Sequence, residues 1–265
     1  MNLFEKLKCK KNTPSLFSKK GHFVVDDTIG ISLLTALNYA SNGGQYLLIT
    51  SNLFKAQQIY SLICSFVDKD DVLLFPNDEL IRAETLAQTK EMVSQRLYVL
   101  NELNEGRGKI VIANLASACR YLPSPTLFKE TAIKISTGEH YNIQDLKKQL
   151  LKAGYTPVNK IDQSLQFASR GDILDIFSVN YDKPVRIEFF DDEVESIRFF
   201  EISTQLSVKT LQKVDILPAS DIILSDSELA KAGDKIYDIL ESDQQHLDYP
   251  CLKNENNIMQ LIELL

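Results

Sequence analysis

The sequence predicts an α/β protein, a parallel sheet covered by helices, followed by an α+β segment that contains an antiparallel meander. Three observations carry this. Short apolar runs alternate with helix-periodic ones over residues 21–123, the pattern of strands joined by crossover helices. Pro123, Ser124 and Pro125 then break the alternation and mark the best boundary in the chain. Beyond it, three apolar runs crowd between Phe167 and Phe200 with turn residues between them.

Residues 1–20 read as a basic, solvated tail holding Lys6, Lys8, Lys10, Lys11, Lys19 and Lys20. His22 to Val25 is a strand, and Ile29 to Ala40 places Ile29, Leu33, Leu34 and Leu37 at helical spacing before Asn42, Gly43 and Gly44 end it. Tyr46 to Thr50 reads as a buried-type strand, Asn52 as a cap, and Leu53 to Phe66 as a helix with Ala56, Ile59, Tyr60, Ile63 and Phe66 inward. Val72 to Phe75 is the next strand. Lys90 to Glu105 repeats Val93, Leu97, Leu100 and Leu103 on one face, Gly106 stops it, Ile110 to Ala113 is a strand and Leu115 to Leu122 a short helix. Such strands imply a parallel sheet covered on both sides.

Residues 124–212 change style. Ile133 to Ile135 is a strand, and Asn142 to Ala153 a helix with Ile143, Leu146, Leu150 and Leu151 apolar. The meander follows as Asp172 to Phe177, Val185 to Phe190 and Val194 to Phe200, with turns at Asn180 to Pro184 and at Asp191 and Asp192. Val214 to Pro218 reads as a strand returning to the first domain, and residues 213–265 as its continuation. Ser225 and Glu228 are spaced as a capping box. Ile258, Met259, Leu261, Ile262, Leu264 and Leu265 form an apolar end that suits a chain cut inside a domain.

With 265 residues, 44% hydrophobic and 25% charged, the chain can bury a core and hold two domains. A formal charge of −7 argues against nonspecific DNA binding, which depends on Lys and Arg at phosphates. Cys9, Cys64, Cys119 and Cys251 lie far apart, as do His22, His140 and His246, so free thiols and no metal site are expected. No stretch reaches the apolar length of a membrane span. A cytoplasmic protein is expected.

Parallel sheets of this kind often bind nucleotides through a Gly-rich loop and a lysine. Here VVDDTIGISLL offers one glycine, no lysine, and Asp26 and Asp27 where an anion would sit. GRGK at Gly106 to Lys109 reads as a turn, and FPNDE, with Asp78 and Glu79, as a loop. Glu91, Gln95 and Arg96 read as an exposed helix face. Asp172 and Asp175, three apart in a strand, point to opposite faces, so Asp175 is expected to meet an amide or an arginine and not to do acid-base work. Nothing in the sequence reads as catalytic.

On the middle strand of the meander Val185, Ile187 and Phe189 share one face and Arg186, Glu188 and Phe190 the other, which should be wet. A phenylalanine there is a stray exposed ring or the anchor of a protein contact. For Arg186 the plainer expectation is a pair with a neighbouring strand's carboxylate.

The runs RGDILDIF, PVRIEFFDDEVESIRFF, TQLS and VDILPAS resemble the module shared by bacterial transcription-repair coupling factors and excinuclease component B. The match is specific from Phe167 to Ala219 and extends more faintly back to about residue 20. It departs from the family at Ser178, usually Pro; at Asp191, usually Gly; and at Leu206, where TQRS is usual. The resemblance implies that residues 21–123 and 213–265 form a degenerate P-loop-NTPase-like domain, and that 124–212 is an α+β domain inserted in it. It implies that the inserted domain docks on excinuclease component A, with Arg170, Arg186 and Phe190 on the positions the family uses. It places ATP and magnesium in a motor downstream of Leu265, with RNA polymerase and double-stranded DNA as partners of the whole protein. This chain would then be a noncatalytic adaptor without a cofactor. The alternatives are a fragment of excinuclease component B, an ATP-dependent protein that would need a GxxxxGK[ST] loop, and a stand-alone interaction protein.

Overall fold

The computed structural model describes residues 27–77, 90–223, 231 and 233–235. The chain divides into two compact units, Met1–Asp221 and Ile222–Leu265; in the second, residues 231 and 233–235 are helical. The basic tail, the His22–Val25 strand, Asp26, Asp78, Glu79, the Ser225–Glu228 capping box and the apolar end lie outside the described residues.

In the first unit Asp27 caps helix α1 (Thr28–Asn42) by accepting from the Gly30 amide. Strand β1 (Tyr46–Thr50) leads to α2 (Leu53–Ile63), whose cap Asn52 accepts from the Lys55 amide at 2.8 Å. Strand β2 (Val72–Phe75), helix α3 (Lys90–Asn104) and strand β3 (Ile110–Asn114) complete the alternation. The three strands are parallel in the order β1-β3-β2, with Leu48 and Leu74 in register on either side of Ile112. Alternation divides the apolar side chains between two cores. Val72, Leu74, Ile110 and Ile112 pack with Ala56, Ile59 and Ile63, while Leu73, Phe75 and Ala113 pack with Val99 on the other face. Gly108, in the turn before β3, takes φ +77°, and a Cβ there would run into Leu73 Cδ1. GRGK is therefore a turn whose second glycine lets the backbone lie against β2.

Two expectations for this sheet change. Strand β1 is not buried on both faces: Leu47 and Ile49 are 64% and 55% exposed, while its Tyr46 and Leu48 side packs on the α2 core. Arg96 is not on an exposed helix face but 0% exposed. Its Nε donates to Asp221 at 2.7 Å and its Nη1 to the Pro76 carbonyl at 3.2 Å, so a buried counter-charge overrides the usual preference of arginine for water. Glu91 and Gln95 are exposed, as expected.

Helix α4 (Leu115–Ala118) stops earlier than its apolar run. A further helix, α5 (Pro125–Glu130), follows, where Ser124 accepts from the Leu127 amide and Pro125 takes a first-turn position. Strand β4 (Ile133–Ser136) and helix α6 (Ile143–Lys152) match their patterns. The meander is the centre of a larger sheet: β5 (Thr156–Pro157), β6 (Gln166–Arg170), β7 (Ile173–Phe177), β8 (Val185–Phe190), β9 (Glu193–Phe200) and β10 (Ser207–Leu211). Their spatial order is β10-β9-β8-β7-β6-β5, and every pairing except β5 with β6 is antiparallel.

Strand β11 (Lys213–Ile216) pairs antiparallel with β4 and not with the parallel sheet. The next residue, Leu217, is held through both its backbone groups. Tyr155 Oη donates to the Leu217 carbonyl at 2.7 Å, and the Leu217 amide donates to Ser178 Oγ at 3.1 Å. Ser178 thus satisfies a buried amide. Burial pushes the Tyr155 phenol far above its ordinary pKa.

Candidate docking surface

Register places the three sequence-predicted residues on one face of the six-stranded sheet. Arg170 pairs with Ile173, Ile173 with Glu188, and Asp175 with Arg186, so their side chains rise on the face that also carries Phe190. The opposite face holds Leu174, Ile176, Val185, Ile187 and Phe189, all buried. Phe190 is 75% exposed at the end of β8. Arg186 lies four residues back, roughly 13 Å away at about 3.3 Å per residue. Arg170 ends β6, at the same end of the sheet as Phe190, and its Nη2 donates to the Asn159 carbonyl at 2.7 Å.

Arg186 is held on three sides. Its Nε and Nη2 donate to the two oxygens of Asp175 at 2.7 and 2.8 Å, the parallel fork that guanidinium and carboxylate favour. Nη2 also donates to Gln205 Oε1 at 3.0 Å, and the guanidinium lies 4.3 Å from the centre of the buried Phe200 ring. Hydrogen bonding to Asp175 raises the Arg186 pKa further above its ordinary value, against the opposing effect of burial. Asp175 thus meets an arginine, one of the two partners its position suggested. The side chain of Arg186 keeps 18% of its surface exposed.

Directly across from Arg186 on β9 stands Arg198. Two like charges opposite one another destabilise a sheet unless each is neutralised. Asp175 answers Arg186, and Glu188 answers Arg198 through Nη2 while also accepting from Ser196 Oγ at 3.1 Å. An acidic setting, with four basic and eight acidic residues from Leu165 to Phe200, supplies these partners. Arg198, Gln205 and Phe200 were not singled out from sequence. Arg198 was legible from strand alternation, while Gln205 comes from a loop that folds back at φ +61°, which no periodicity announces.

The two turns at the Phe190 end share one backbone form. Gly171 and Asp191 each stand first of two turn residues, at φ +55° and +59°. Positive φ at this place is what glycine supplies freely and an aspartate only at a cost. Segment 137–141 braces the second turn: the Gly138 and Tyr141 amides donate to the carbonyls of Val194 and Asp192, and His140 Nδ1 meets Asp192 Oδ1 at 2.9 Å. Asp192 raises the His140 pKa, and His140 lowers that of Asp192.

The carboxyl ends of the parallel strands, where open α/β sheets commonly take ligands, are closed by the protein's own groups. Asn77 and Asn114 exchange two bonds, amide to Oδ1 at 3.1 Å and Nδ2 to carbonyl at 3.0 Å. Beside them the buried Asp221 accepts from Arg96 and, at 2.9 Å, from Arg120. Among the described residues no group of three or more His, Cys, Asp and Glu could hold a metal, and no helix is long and apolar enough to cross a membrane.

A family model described as the UvrB interaction domain matches residues 133–221. The chain is 37% identical over 189 residues to the transcription-repair-coupling factor of Bacillus subtilis (strain 168), which covers 71% of this chain and 16% of that protein. It is 28% identical over 215 residues to the proteins of the same name from Staphylococcus aureus strains bovine RF122 / ET3-1 and MRSA252, covering 81% of this chain and 18% of each. The chain spans about one-sixth of the length of the curated relatives it matches.

Proposed function

Because this chain belongs with the transcription-repair coupling factors and carries their amino-terminal module, the one they share with excinuclease component B, we propose that it is the noncatalytic adaptor that brings excinuclease component A to lesions where RNA polymerase has stalled. The observation that carries this reading is the pairing of a 75% exposed Phe190 with a pre-oriented, partly exposed Arg186 on one sheet face. Aromatic rings and arginines are the residues on which protein interfaces concentrate their energy. Arg170 extends the patch to β6. With acidic groups around them, these arginines work through directed hydrogen bonds and not as a diffuse positive field.

The parallel sheet belongs in this reading to a degenerate P-loop-NTPase-like domain that binds no nucleotide. At the start of α1 the Gly30 amide is taken by the Asp27 carboxylate, so a phosphate arriving there would meet a negative charge on the donor it needs. The ATP-driven motor and the contacts with RNA polymerase and DNA fall to the rest of the longer protein.

The test is titration of purified excinuclease component A with the chain and with Arg186→Ala and Phe190→Ala. Either variant, folded, should lose about thirtyfold or more in affinity, roughly the effect of a hot-spot residue; unchanged binding in both sinks the docking assignment. Calorimetric titration with magnesium and ATP should show no saturable heat.

A further inference from the structure

Gln205 stands in the left-handed region at φ +61°, where glycine and asparagine fit more easily than any longer side chain. The loop around it is closed on itself: the Gln205 amide donates to the Glu201 carbonyl at 2.7 Å, and the Glu201 amide to the Leu206 carbonyl at 3.0 Å. Its side chain is committed at both ends. Nε2 donates to the Ile202 carbonyl at 2.8 Å, which turns Oε1 toward the guanidinium of Arg186. A glycine here would bring no amide, and an asparagine would be one methylene too short to make both bonds. A strained backbone conformation kept by a residue whose side chain does this work points to a use for that side chain.

An arginine has five N–H donors. Asp175 takes one from Nε and one from Nη2, Gln205 takes the other from Nη2, and the Phe200 ring lies against the guanidinium plane. The two Nη1 hydrogens have no acceptor among the described residues, and the side chain is still partly exposed. The fork to Asp175 alone leaves the guanidinium free to rock about that edge. Gln205 removes the freedom.

We infer that Gln205 is a positioning residue for docking: it locks Arg186 against Asp175 and Phe200 so that the Nη1 edge is presented, already ordered, to an acceptor oxygen of the partner. Ordering a long side chain during association costs affinity, and a side chain ordered beforehand avoids that loss. The inference rests on the docking reading and adds to it a residue that touches no partner itself.

The experiment is a double-mutant cycle with excinuclease component A as the probe, using the full chain. Gln205→Asn keeps a residue tolerant of positive φ, and Gln205→Gly relaxes the backbone outright, so both variants should melt close to the parent. Each is expected to bind about three- to tenfold more weakly, the effect of having to order one long side chain during association, and to change nothing further in an Arg186→Ala background. Equal losses in both backgrounds would show that Gln205 acts independently of Arg186 and would overturn the inference. Loss at Arg186 and Phe190 with none at Gln205 overturns it alone, whereas no loss at any of the three overturns the docking reading with it.

Discussion

The parallel and antiparallel sheets treat their arginines in opposite ways. At the ends of the parallel strands Arg96 is sealed, with Asp221 and the Pro76 carbonyl as its partners. On the outer face of the antiparallel sheet Arg186 is held as firmly but on three sides only, with part of its surface exposed. A charge whose bonds are all made inside the protein has nothing left to offer outside. One that is ordered yet incompletely covered can bind a partner at little entropic cost. On the proposed docking reading, the difference separates a structural ion pair from a recognition element, although both look the same as arginines in a sequence.

The largest expected effect breaks the first half of that comparison. Asp221→Ala leaves Arg96 and Arg120 without their shared carboxylate, one of them fully buried. Removing one partner of a buried ion pair typically costs about 3–5 kcal/mol, enough to unfold a marginal domain. Arg96→Met should cost less, since it replaces the buried charge by an apolar chain of similar length and leaves Asp221 paired with Arg120. Denaturant unfolding monitored by circular dichroism would rank the two; equal, small losses would mean that the cluster contributes little.

Next comes the contrast at the surface. Arg186→Ala should lower stability by about 1–3 kcal/mol, the cost of leaving the largely buried Asp175 without its partner, while costing about 2 kcal/mol or more in docking. The two readouts must separate. A stability loss as large as that of Asp221→Ala, with affinity intact, would make Arg186 a structural residue and erase the distinction between the sheets.

Much of this arrangement was legible from residues alone. Alternation in VRIEFF put Val185, Ile187 and Phe189 inside and Arg186 and Phe190 outside, as the structure has them. The cap at Asn52, the strands Val72–Phe75 and Ile110–Asn114, and the α6 helix followed from local chemistry. Strands β6 and β10 did not. Gln166–Arg170 carries one large apolar side chain, and Ser207–Leu211 is almost wholly exposed, so neither offers a hydrophobic period; they are strands because β7 and β9 supply their hydrogen bonds. Arg96 failed for a related reason. Its partner lies 125 residues further on, and no local pattern distinguishes an arginine with a distant buried carboxylate from one in water.

A smaller effect tests the two turns at the Phe190 end of the antiparallel sheet. Asp191→Gly should stabilise the protein by about 0.5–1 kcal/mol, because φ +59° costs an aspartate what it does not cost a glycine. Gly171→Ala should destabilise by about 1–2 kcal/mol at φ +55°, although a Cβ there meets nothing within 4 Å. Thermal melts of the pair would show opposite signs. The same sign in both would mean that side-chain contacts, and not backbone conformation, decide these turns.

The smallest effect concerns the brace on the second turn, and its sign follows from protonation. The carboxylate of Asp192 raises the His140 pKa above its ordinary 6.5, so what His140 contributes is fully present below that value and is lost as pH rises through the folded pKa. The imidazolium lowers the Asp192 pKa below its ordinary 3.8, so that contribution is fully present above 3.8 and is lost as pH falls through the folded pKa. The pair is therefore complete between 3.8 and 6.5. Both groups stand in solvent, so salt should weaken the effect. His140→Gln is expected to melt furthest below the parent near pH 5 to 6, in low salt, with the gap closing as pH rises into the alkaline range. Because His140 also bridges to Glu193, the residue paired with Phe190, any change in docking affinity should follow the same pH profile. A gap that does not vary with pH would show that the backbone bonds of segment 137–141 hold this hairpin without help from the ion pair.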